Sequence, residues 1–197
     1  MRIGVFGGTF DPPHNGHLRI ARAAKEQLLL ERVLFTPAGV QPLKQDQALS
    51  PAMHRAKMVE LAIAHQPGFE FSRIDLDRPG PHYTVDLLRI VSGIYPGAPL
   101  SFILGSDSLV DLLRWHDPQG CIDQARLAVY RRVGSEPDWD ALDAALPSLR
   151  DRLDWIDAPP IDISSTDIRR RVRAGQPIEG LVPPAVAVYI VEQQLYK

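Results

Sequence analysis

Cysteine is almost absent from this chain of 197 residues, which contains one, Cys121. A single thiol cannot form a disulfide within the chain, so the fold must depend on its apolar core. Scarce cysteine is typical of a protein from a reducing compartment. No histidine or other base lies beside Cys121 in the sequence, and we interpret it as a small buried side chain rather than a nucleophile.

An excess of positive charge is also lacking. The 22 basic and 24 acidic residues give a net charge of -2, which disfavours a general nucleic-acid or membrane-surface binder. No apolar stretch approaches membrane-spanning length, and no signal peptide is visible. We therefore expect a cytoplasmic protein with no nucleic-acid or membrane partner. Hydrophobic residues make up 45% of the chain, and we expect residues 1–197 to form one domain.

Two common phosphate-binding motifs are missing as well. The chain has no G-x-G-x-x-G dinucleotide fingerprint, and no Walker loop because Gly-Lys-Ser/Thr does not follow its glycines. Between an apolar and an amphipathic segment it has instead Gly7-Gly8-Thr9-Phe10-Asp11-Pro12-Pro13-His14-Asn15-Gly16-His17. This order predicts a strand, a glycine turn, and a helix whose first N–H groups face a phosphate.

Two histidines mark the start of that helix. His14 and His17 are three residues apart, so both imidazoles lie on one helical face and can contact one ligand. Asn15, between them, is predicted to cap the helix. A zinc site is the competing interpretation. It is disfavoured because the pair lacks the Glu and the i,i+4 spacing of H-E-x-x-H, and no third ligand is obvious.

Apolar strands alternate with amphipathic helices, which predicts an α/β fold with a doubly wound, mostly parallel sheet. Right-handed crossovers place the loops after the strands at one edge, where ligands bind. Four segments should meet there: the motif, the loop 38–50 with Lys44, the Gly105 turn and residues 163–169. The strands are predicted at residues 2–6, 32–35, 69–74, 100–104, 126–130 and 153–156, with helices that include residues 107–115 and 138–152.

A second candidate phosphate site is the stretch Ile163-Ser164-Ser165-Thr166-Asp167-Ile168-Arg169. Serine and threonine cap a helix start, and the N–H groups there can hold an anion. Arg169 lies one turn inside the helix and can form paired hydrogen bonds with phosphate oxygens. The neighbouring arginines are interpreted as a solvated helix face. We expect the helical part from about residue 163 to residue 197 to complete the phosphate site.

With both stretches the chain resembles the nucleotidylyltransferase superfamily, whose signature is G-G-T-F-D-P-x-H-x-G-H followed late by I-S-S-T-x-x-R. In that superfamily the two histidines hold the triphosphate of a nucleotide, and the late motif grips its β and γ phosphates. The resemblance implies a Rossmann-like nucleotidylyltransferase fold. It also implies that ATP contacts a set of residues from both stretches and from the Gly105 turn: Gly7, Gly8, Thr9, Phe10, His14, His17, Gly105, Asp107, Ser165, Thr166 and Arg169.

Four further features, spread over nearly the whole chain, resemble the bacterial nicotinate mononucleotide adenylyltransferase family. They are P-x-x-x-x-P-x-K ending at Lys44, Tyr83-Thr84 after a proline-rich break, Gly105-Ser106-Asp107-Ser108-Leu109 followed by Trp115, and the Arg131-Arg132 pair. The resemblance implies that Trp115 stacks on the nicotinate ring, Thr84 helps hold its carboxylate and Asp107 bonds the adenosine ribose. The implied nicotinate mononucleotide site comprises Thr84, Trp115, His116, Lys44 and Arg132.

Two positions depart from the family pattern. Many relatives have histidine where this chain has Leu43, which leaves Lys44 as the one cation of its loop motif. The residue after the tryptophan is often tyrosine, and here it is His116. The second departure leaves the preference for the acid or the amide substrate open.

The implied reaction joins ATP and nicotinate mononucleotide to give nicotinate adenine dinucleotide and pyrophosphate, a step of NAD biosynthesis. The mononucleotide phosphate attacks the α-phosphorus of ATP in line and needs no protein nucleophile. His14, His17, Arg169 and Lys44 are the expected catalytic residues, acting through position and charge. Mg²⁺ should arrive with ATP and have few or no protein ligands, since magnesium often keeps its waters.

Three alternatives stay open from the sequence. A sister adenylyltransferase acting on phosphopantetheine would share both phosphate motifs but would leave Tyr83-Thr84 and Trp115 unexplained. The substrate could be nicotinamide mononucleotide instead of the acid. The chain could also be a nucleotide-binding module without catalysis, although intact His14, His17 and Arg169 argue against it. A homodimer is compatible with the sequence.

Overall fold

A computed structural model of the protein describes residues 1–39, 49–132, 134 and 136–197. Its strands, numbered in chain order, are β1 Ile3–Gly8, β2 Arg32–Pro37, β3 Phe69–Phe71, β4 Leu100–Gly105, β5 Arg126–Tyr130 and β6 Leu153–Ile156. They form one sheet in the order β3-β2-β1-β4-β5-β6, and every neighbouring pair is parallel. The predicted doubly wound α/β fold is confirmed, and the strand order reverses between β1 and β4.

Helices connect these strands on both faces of the sheet. In the described residues they are α1 Asn15–Gln27, α2 Ala52–Ile63, α3 Ile74–Asp77, α4 Thr84–Ile94, α5 Ser106–Val110, α6 Pro118–Gln124, α7 Trp139–Ala145, α8 Ser165–Arg173 and α9 Pro184–Glu192. Short 3₁₀ turns cover Leu112–Arg114 and Arg150–Arg152. None of the helices described is long and apolar enough to cross a bilayer.

The core has two halves because side chains alternate between the faces of a parallel sheet. Ile3 and Val5 of β1 lie fully buried in one half, beside α4 and α6. Phe6 of β1 and Val33 of β2 lie in the other half, beside α1, α2 and α9. Both faces of β1 are therefore covered by helices, and its carboxyl end opens toward the ligand edge of the sheet.

Helix α1 presents one apolar stripe to this core. Leu18, Ala21 and Ala24 are buried, whereas Arg19 and Arg22 are exposed. The stripe follows the spacing of three and four residues that the sequence predicts for one helical face. Burying it fixes the direction of α1, and so fixes the start of the helix at the end of β1.

The glycine turn predicted after the first strand is wrong. Gly7 and Gly8 belong to β1, paired with Thr36 and Pro37 of β2. The chain turns later, through Phe10, whose φ of 50° lies in the left-handed region. A Cβ at Gly8 would lie 3.1 Å from the ring of Phe10, so a larger residue here would require that ring, which folds back over the strand end, to shift.

Some predicted elements are divided differently in the structure. The helix predicted at 107–115 is α5 followed by a 3₁₀ turn. The helix predicted at 138–152 ends as α7 at Ala145, because Pro147 disfavours helical backbone in the residue before it. The strand predicted at 69–74 is β3 followed by α3.

Helix α6 is absent from the sequence-based expectations. It begins at Asp117, whose carboxylate accepts the Gly120 N–H at 2.9 Å. Cys121 on this helix is fully buried, as predicted. Burial, with the nearby charge of Asp117, raises the pKa of its thiol to about 12, so Cys121 is an apolar core residue.

Candidate active site

A cleft of about 310 Å³ opens at the carboxyl edge of the sheet, where the strand order reverses between β1 and β4. This volume lies within the range of small-molecule sites. Most of the residues predicted for the site line it together: Gly7, Gly8, Thr9, Phe10, His14, His17, Thr84, Gly105, Asp107, Trp115, Arg132, Ser165, Thr166 and Arg169. Lys44 lies outside the described residues, and His116 is not part of the lining.

The two histidines cap α1 themselves. His14 is the N-cap, and its Nδ1 accepts the backbone N–H of His17 at 3.4 Å. In return, Nδ1 of His17 accepts the backbone N–H of His14 at 3.1 Å. The predicted cap, Asn15, is therefore wrong, and its side chain donates instead to the carbonyl of Gly180 at 2.9 Å.

This reciprocal cap fixes the tautomer of both rings. An Nδ1 atom that accepts a hydrogen bond carries no proton, so each imidazole carries its N–H on Nε2. The rings are stacked, with centroids 3.7 Å apart, and both line the cleft. The capping geometry thus sets a pair of imidazole N–H donors beside the positive end of the α1 dipole.

His14 is neutral at ordinary pH. Its side chain is 2% exposed, and burial, helped by the charge of Arg132, lowers its pKa from 6.5 to about 3. Protonation would also require a second proton on the nitrogen that accepts the His17 N–H. With Nδ1 used by the cap, the neutral His14 ring has its Nε2–H as its one donor group.

Between β1 and α1 lies the motif loop, residues 9–14, whose backbone is held from the second half of the chain. Ser165 Oγ donates to the carbonyl of Pro12 at 2.9 Å. Arg169 Nη1 donates to the carbonyl of Asp11 at 2.8 Å, and its Nη2 donates to Thr166 Oγ1 at 3.4 Å. The residues predicted to grip phosphate thus also grip the loop that forms the other wall of the cleft.

Helix α8 has a conventional serine cap. Ser164 Oγ accepts the backbone N–H of Asp167 at 3.1 Å, which satisfies one of the free donors of the first turn. The Asp167 carboxylate pairs with Arg170 and Arg171 on the helix surface, and their hydrogen bonds lower its pKa. Arg169 is thereby left as the arginine of this helix that lines the cleft.

A third corner of the cleft is formed at the end of β4. Asp107 pairs with Arg132 at 3.0 Å, and both side chains are about half exposed. The backbone N–H of Arg132 donates to Ser106 Oγ at 2.8 Å. A Cβ at Gly105 would lie 2.3 Å from the Asp107 carboxylate, so glycine allows that carboxylate to fold back over the strand end.

On the far wall the start of α4 faces the cleft. Tyr83 is its N-cap and makes no side-chain capping hydrogen bond, so the first-turn N–H groups beginning at Thr84 are not satisfied by a cap. Trp115 lines the same wall, with its ring perpendicular to that of Phe102. His116 stacks on Tyr83 at 4.1 Å, beside this wall rather than on it.

Sequence reasoning missed a buried polar layer beneath the motif loop. Arg55 is 3% exposed and donates to the carbonyls of Thr9 at 2.8 Å, Ala38 at 2.7 Å and Ser50 at 3.1 Å. The Asp11 side chain, 1% exposed, accepts hydrogen bonds in the same layer. One signal was available for Arg55, because it shares the buried stripe of α2 with Met58, Val59 and Ala62.

A family model described as cytidylyltransferase-like matches residues 5–171. A curated protein of Thermomicrobium roseum named probable nicotinate-nucleotide adenylyltransferase is 45% identical over 196 residues, covering 100% of this chain and 92% of that protein. A protein of the same name from Roseiflexus sp. (strain RS-1) is 46% identical over 197 residues, covering 99% and 98%.

Solved structures share the fold at lower identity. The Plasmodium falciparum nicotinic acid mononucleotide adenylyltransferase complexed with NaAD superposes with a TM-score of 0.80 and 20% identity, covering 99% of this chain and 97% of that one. The same enzyme complexed with APC gives a TM-score of 0.77 and 19% identity, covering 99% and 96%. At this identity the likeness concerns the fold.

Proposed function

Because this chain belongs to the cytidylyltransferase-like family and, within it, to the nicotinate-nucleotide adenylyltransferases, we propose that it transfers the adenylyl group of ATP to nicotinate mononucleotide. The products are nicotinate adenine dinucleotide and pyrophosphate, and the step belongs to NAD biosynthesis. The observation that carries the proposal is the meeting of the His14–His17 donor pair, the Arg169 guanidinium and the Thr84 helix start in one cleft. The histidine pair and the guanidinium suit a triphosphate, and the helix start at Thr84 suits a carboxylate.

The ATP phosphates fit between α1 and α8. The Nε2–H groups of His14 and His17 are proposed to donate to oxygens of the α- and β-phosphates, and the dipole of α1, which these residues cap, supports this because it favours an anion. Arg169 uses two N–H groups within the protein. A guanidinium has five, so others remain for the leaving pyrophosphate. Residues 163–197 would in this way complete the phosphate site.

The nicotinate group fits the wall formed by α4 and Trp115. Uncapped N–H groups at the start of α4 attract a carboxylate for the reason that they attract a phosphate. The indole of Trp115 offers a flat face to a pyridinium, whose positive charge gains a cation–π attraction. His116 contacts Tyr83, so any effect of this side chain on nicotinate would pass through the N-cap residue.

Arg132 and Asp107 lie between the two subsites. The Asp107 carboxylate can accept hydrogen bonds from the adenosine ribose, while Arg132 reaches the region where the mononucleotide phosphate must approach ATP. The charge of Arg132 is already felt at His14, where it lowers the pKa. Arg132 and His14 also line the same cleft, which supports a role for Arg132 at the reacting phosphates. Lys44 is proposed to join them from outside the described residues.

The chemistry requires no protein nucleophile. The mononucleotide phosphate is ionised at neutral pH and attacks the α-phosphorus of ATP as pyrophosphate leaves. The donors described above hold both phosphates in line and stabilise the charge that develops on their oxygens. Neutral His14 makes this contribution without taking up or releasing a proton.

Mg²⁺ is proposed to enter as part of the ATP substrate. In the described part of the chain, no group of three or more histidine, cysteine, aspartate or glutamate side chains is arranged to hold a metal ion. Magnesium bound to nucleotide phosphates keeps several of its waters and needs few protein ligands. We therefore expect oxygens of the triphosphate and water molecules to be the main ligands of this ion.

The test is pyrophosphate release from Mg²⁺-ATP in three parallel assays, with nicotinate mononucleotide, nicotinamide mononucleotide or phosphopantetheine as acceptor. We expect release with nicotinate mononucleotide to exceed that with the other two. Equal release with acid and amide would retain the reaction but contradict carboxylate recognition at Thr84. Release with phosphopantetheine alone, or ATP binding without release, would contradict the proposed function.

A further inference from the structure

We propose that Tyr196 is a positioning residue for the ATP site: its hydroxyl holds the Asp11 carboxylate and, through it, the motif loop. The hydrogen bond between Tyr196 and Asp11 is observed in the structure. Its effect on catalysis rests on the proposed function. Tyr196 lies beyond α9, 185 residues from its partner in the sequence. Tyr196 is not itself part of the cleft lining, whereas its partner Asp11 is.

The contact is a short hydrogen bond to a buried charge. Tyr196 Oη donates to Asp11 Oδ1 at 2.6 Å, and the backbone N–H of Ser50 donates to Asp11 Oδ2 at 3.0 Å. Asp11 is 1% exposed, so water cannot replace a donor that is lost. Burial raises the pKa of Tyr196, which keeps the proton on the phenol and the hydrogen bond formed.

Asp11 also connects the loop to the phosphate-binding side of the cleft. Its backbone carbonyl accepts from Arg169 at 2.8 Å, while its side chain accepts from Tyr196. Asp11 is thus held at its carbonyl by Arg169 of α8, which borders the cleft, and at its side chain by Tyr196. Since His14 follows three residues later, a shift of Asp11 would move the start of α1 and its imidazole donors.

The layer below Asp11 is built around a second buried charge. Arg55 donates to the carbonyls of Thr9 and Ala38, at the ends of β1 and β2. Burial lowers the pKa of Arg55, and the charge of the Asp11 carboxylate acts against that shift. Tyr196 therefore closes a polar layer that sets the strand ends and the motif loop relative to each other.

The backbone at Tyr196 supports a specific role for this side chain. Its φ is 67°, a region that a bulky residue rarely adopts, and Gln194 has a φ of 51°. Such conformations persist where surrounding contacts hold them. The ring of Tyr196 packs against the core, and its hydroxyl reaches Asp11; together these contacts hold the turn after α9.

The test compares Tyr196→Phe with Tyr189→Phe. Each change removes one hydroxyl from the C-terminal part of the chain, but Tyr189 bonds His54 Nδ1 at 2.9 Å and not a residue of the motif loop. Binding of Mg²⁺-ATP is measured by isothermal titration calorimetry, and kcat and both KM values by pyrophosphate release, at a temperature where both variants are folded. Amide hydrogen exchange at Ser50 and His17 reports the loop directly.

We expect Tyr196→Phe to weaken Mg²⁺-ATP binding by roughly 10-fold or more, the effect of losing a hydrogen bond to a buried charge. The KM for ATP should rise, kcat should fall, and the KM for nicotinate mononucleotide should stay unchanged. Exchange at Ser50 and His17 should accelerate. Tyr189→Phe should leave all of these at the wild-type values.

A Tyr196→Phe variant that only lowers Tm, or that matches Tyr189→Phe in ATP affinity and amide exchange, would overturn the inference. Equal rises in both KM values would also overturn it, because the loop borders the ATP side of the cleft. The calorimetric titration needs no acceptor substrate. A wild-type protein that binds ATP without forming dinucleotide would therefore contradict the proposed function, while the Tyr196 comparison would still be decided by binding and exchange.

Discussion

The first turns of α1 and α8 meet at one cleft but are capped in different ways. In α1 the cap consists of two histidines that satisfy each other's backbone N–H groups through Nδ1. In α8 the cap is Ser164, and the side chain that lines the cleft is Arg169, one turn further on. His14 at the first helix start is buried, whereas the second helix start carries the partly buried charge of Asp167 and the exposed charge of Arg170.

This difference separates two ways of presenting donors to an anion. At α1 one pair of rings caps the helix through Nδ1 and has its N–H groups on Nε2, so in the proposed mechanism ligand binding and helix stability depend on the same side chains. At α8 the tasks are divided between Ser164 and Arg169. A change of either histidine should therefore disturb both the cap and the cleft donor unless the new residue keeps the capping acceptor, whereas at α8 the cap and the cleft donor can be changed separately.

The largest effect should come from His14→Asn. Asparagine is a good N-cap, so the variant keeps an acceptor for the His17 N–H and loses the imidazole donor to the cleft. We expect kcat to fall by about 10²–10³, as for removal of one transition-state donor, with helix content unchanged by circular dichroism. His65→Asn, on an exposed histidine, should leave kcat unchanged. A His14→Asn variant with wild-type kcat would show that the ring serves only the cap.

A smaller effect is expected from Arg169→Lys. Lysine keeps the positive charge but cannot bond the Asp11 carbonyl and Thr166 at the same time as a phosphate. The kcat/KM for ATP should fall by roughly 10- to 100-fold, the cost of lost hydrogen bonds to a charged group. Arg173→Lys, on the exposed face of the same helix, is the control. Equal kinetics for the two variants would remove Arg169 from the phosphate site.

The last prediction concerns stability instead of activity, and its dependence on pH. His14 has a folded pKa of about 3 and an ordinary value of 6.5, so between these values the unfolded chain binds more protons. Stability therefore falls as pH decreases from 6.5 toward 3, by up to about 1.4 kcal/mol per pH unit from this group. Urea unfolding at pH 7, 6, 5 and 4 should show this slope in wild type and a shallower one in His14→Asn. Parallel slopes would mean that His14 is protonated in the folded protein.

Much of this site is predictable because its chemistry is local in the sequence. A strand, a helix start and His14 with His17 lie within one short run, so the donors of the first wall follow from spacing alone. The donors of the second wall follow in the same way from the serines and Arg169 at the start of α8. The parallel order of the strands then requires the two runs to meet at one edge of the sheet.

What the sequence does not show are the contacts that join distant segments. Tyr196 bonds Asp11 from 185 residues away, and no spacing rule relates the two. Arg55 bonds carbonyls of Thr9 and Ala38, which depends on three segments meeting in the fold. The capping error has a local cause: Asn15 is a common cap type, but in this chain the ring nitrogens of His14 and His17 already satisfy the first turn.

The central claim is that this cleft transfers an adenylyl group to nicotinate mononucleotide with His14 as a donor to the phosphates. The most direct measurement is mass-spectrometric product analysis of Mg²⁺-ATP and nicotinate mononucleotide with the wild-type protein and with His14→Asn. We predict nicotinate adenine dinucleotide and pyrophosphate in equal amounts from wild type, and a large loss of both from the folded variant. Formation of ADP or AMP without dinucleotide, or equal dinucleotide from both proteins, would contradict it.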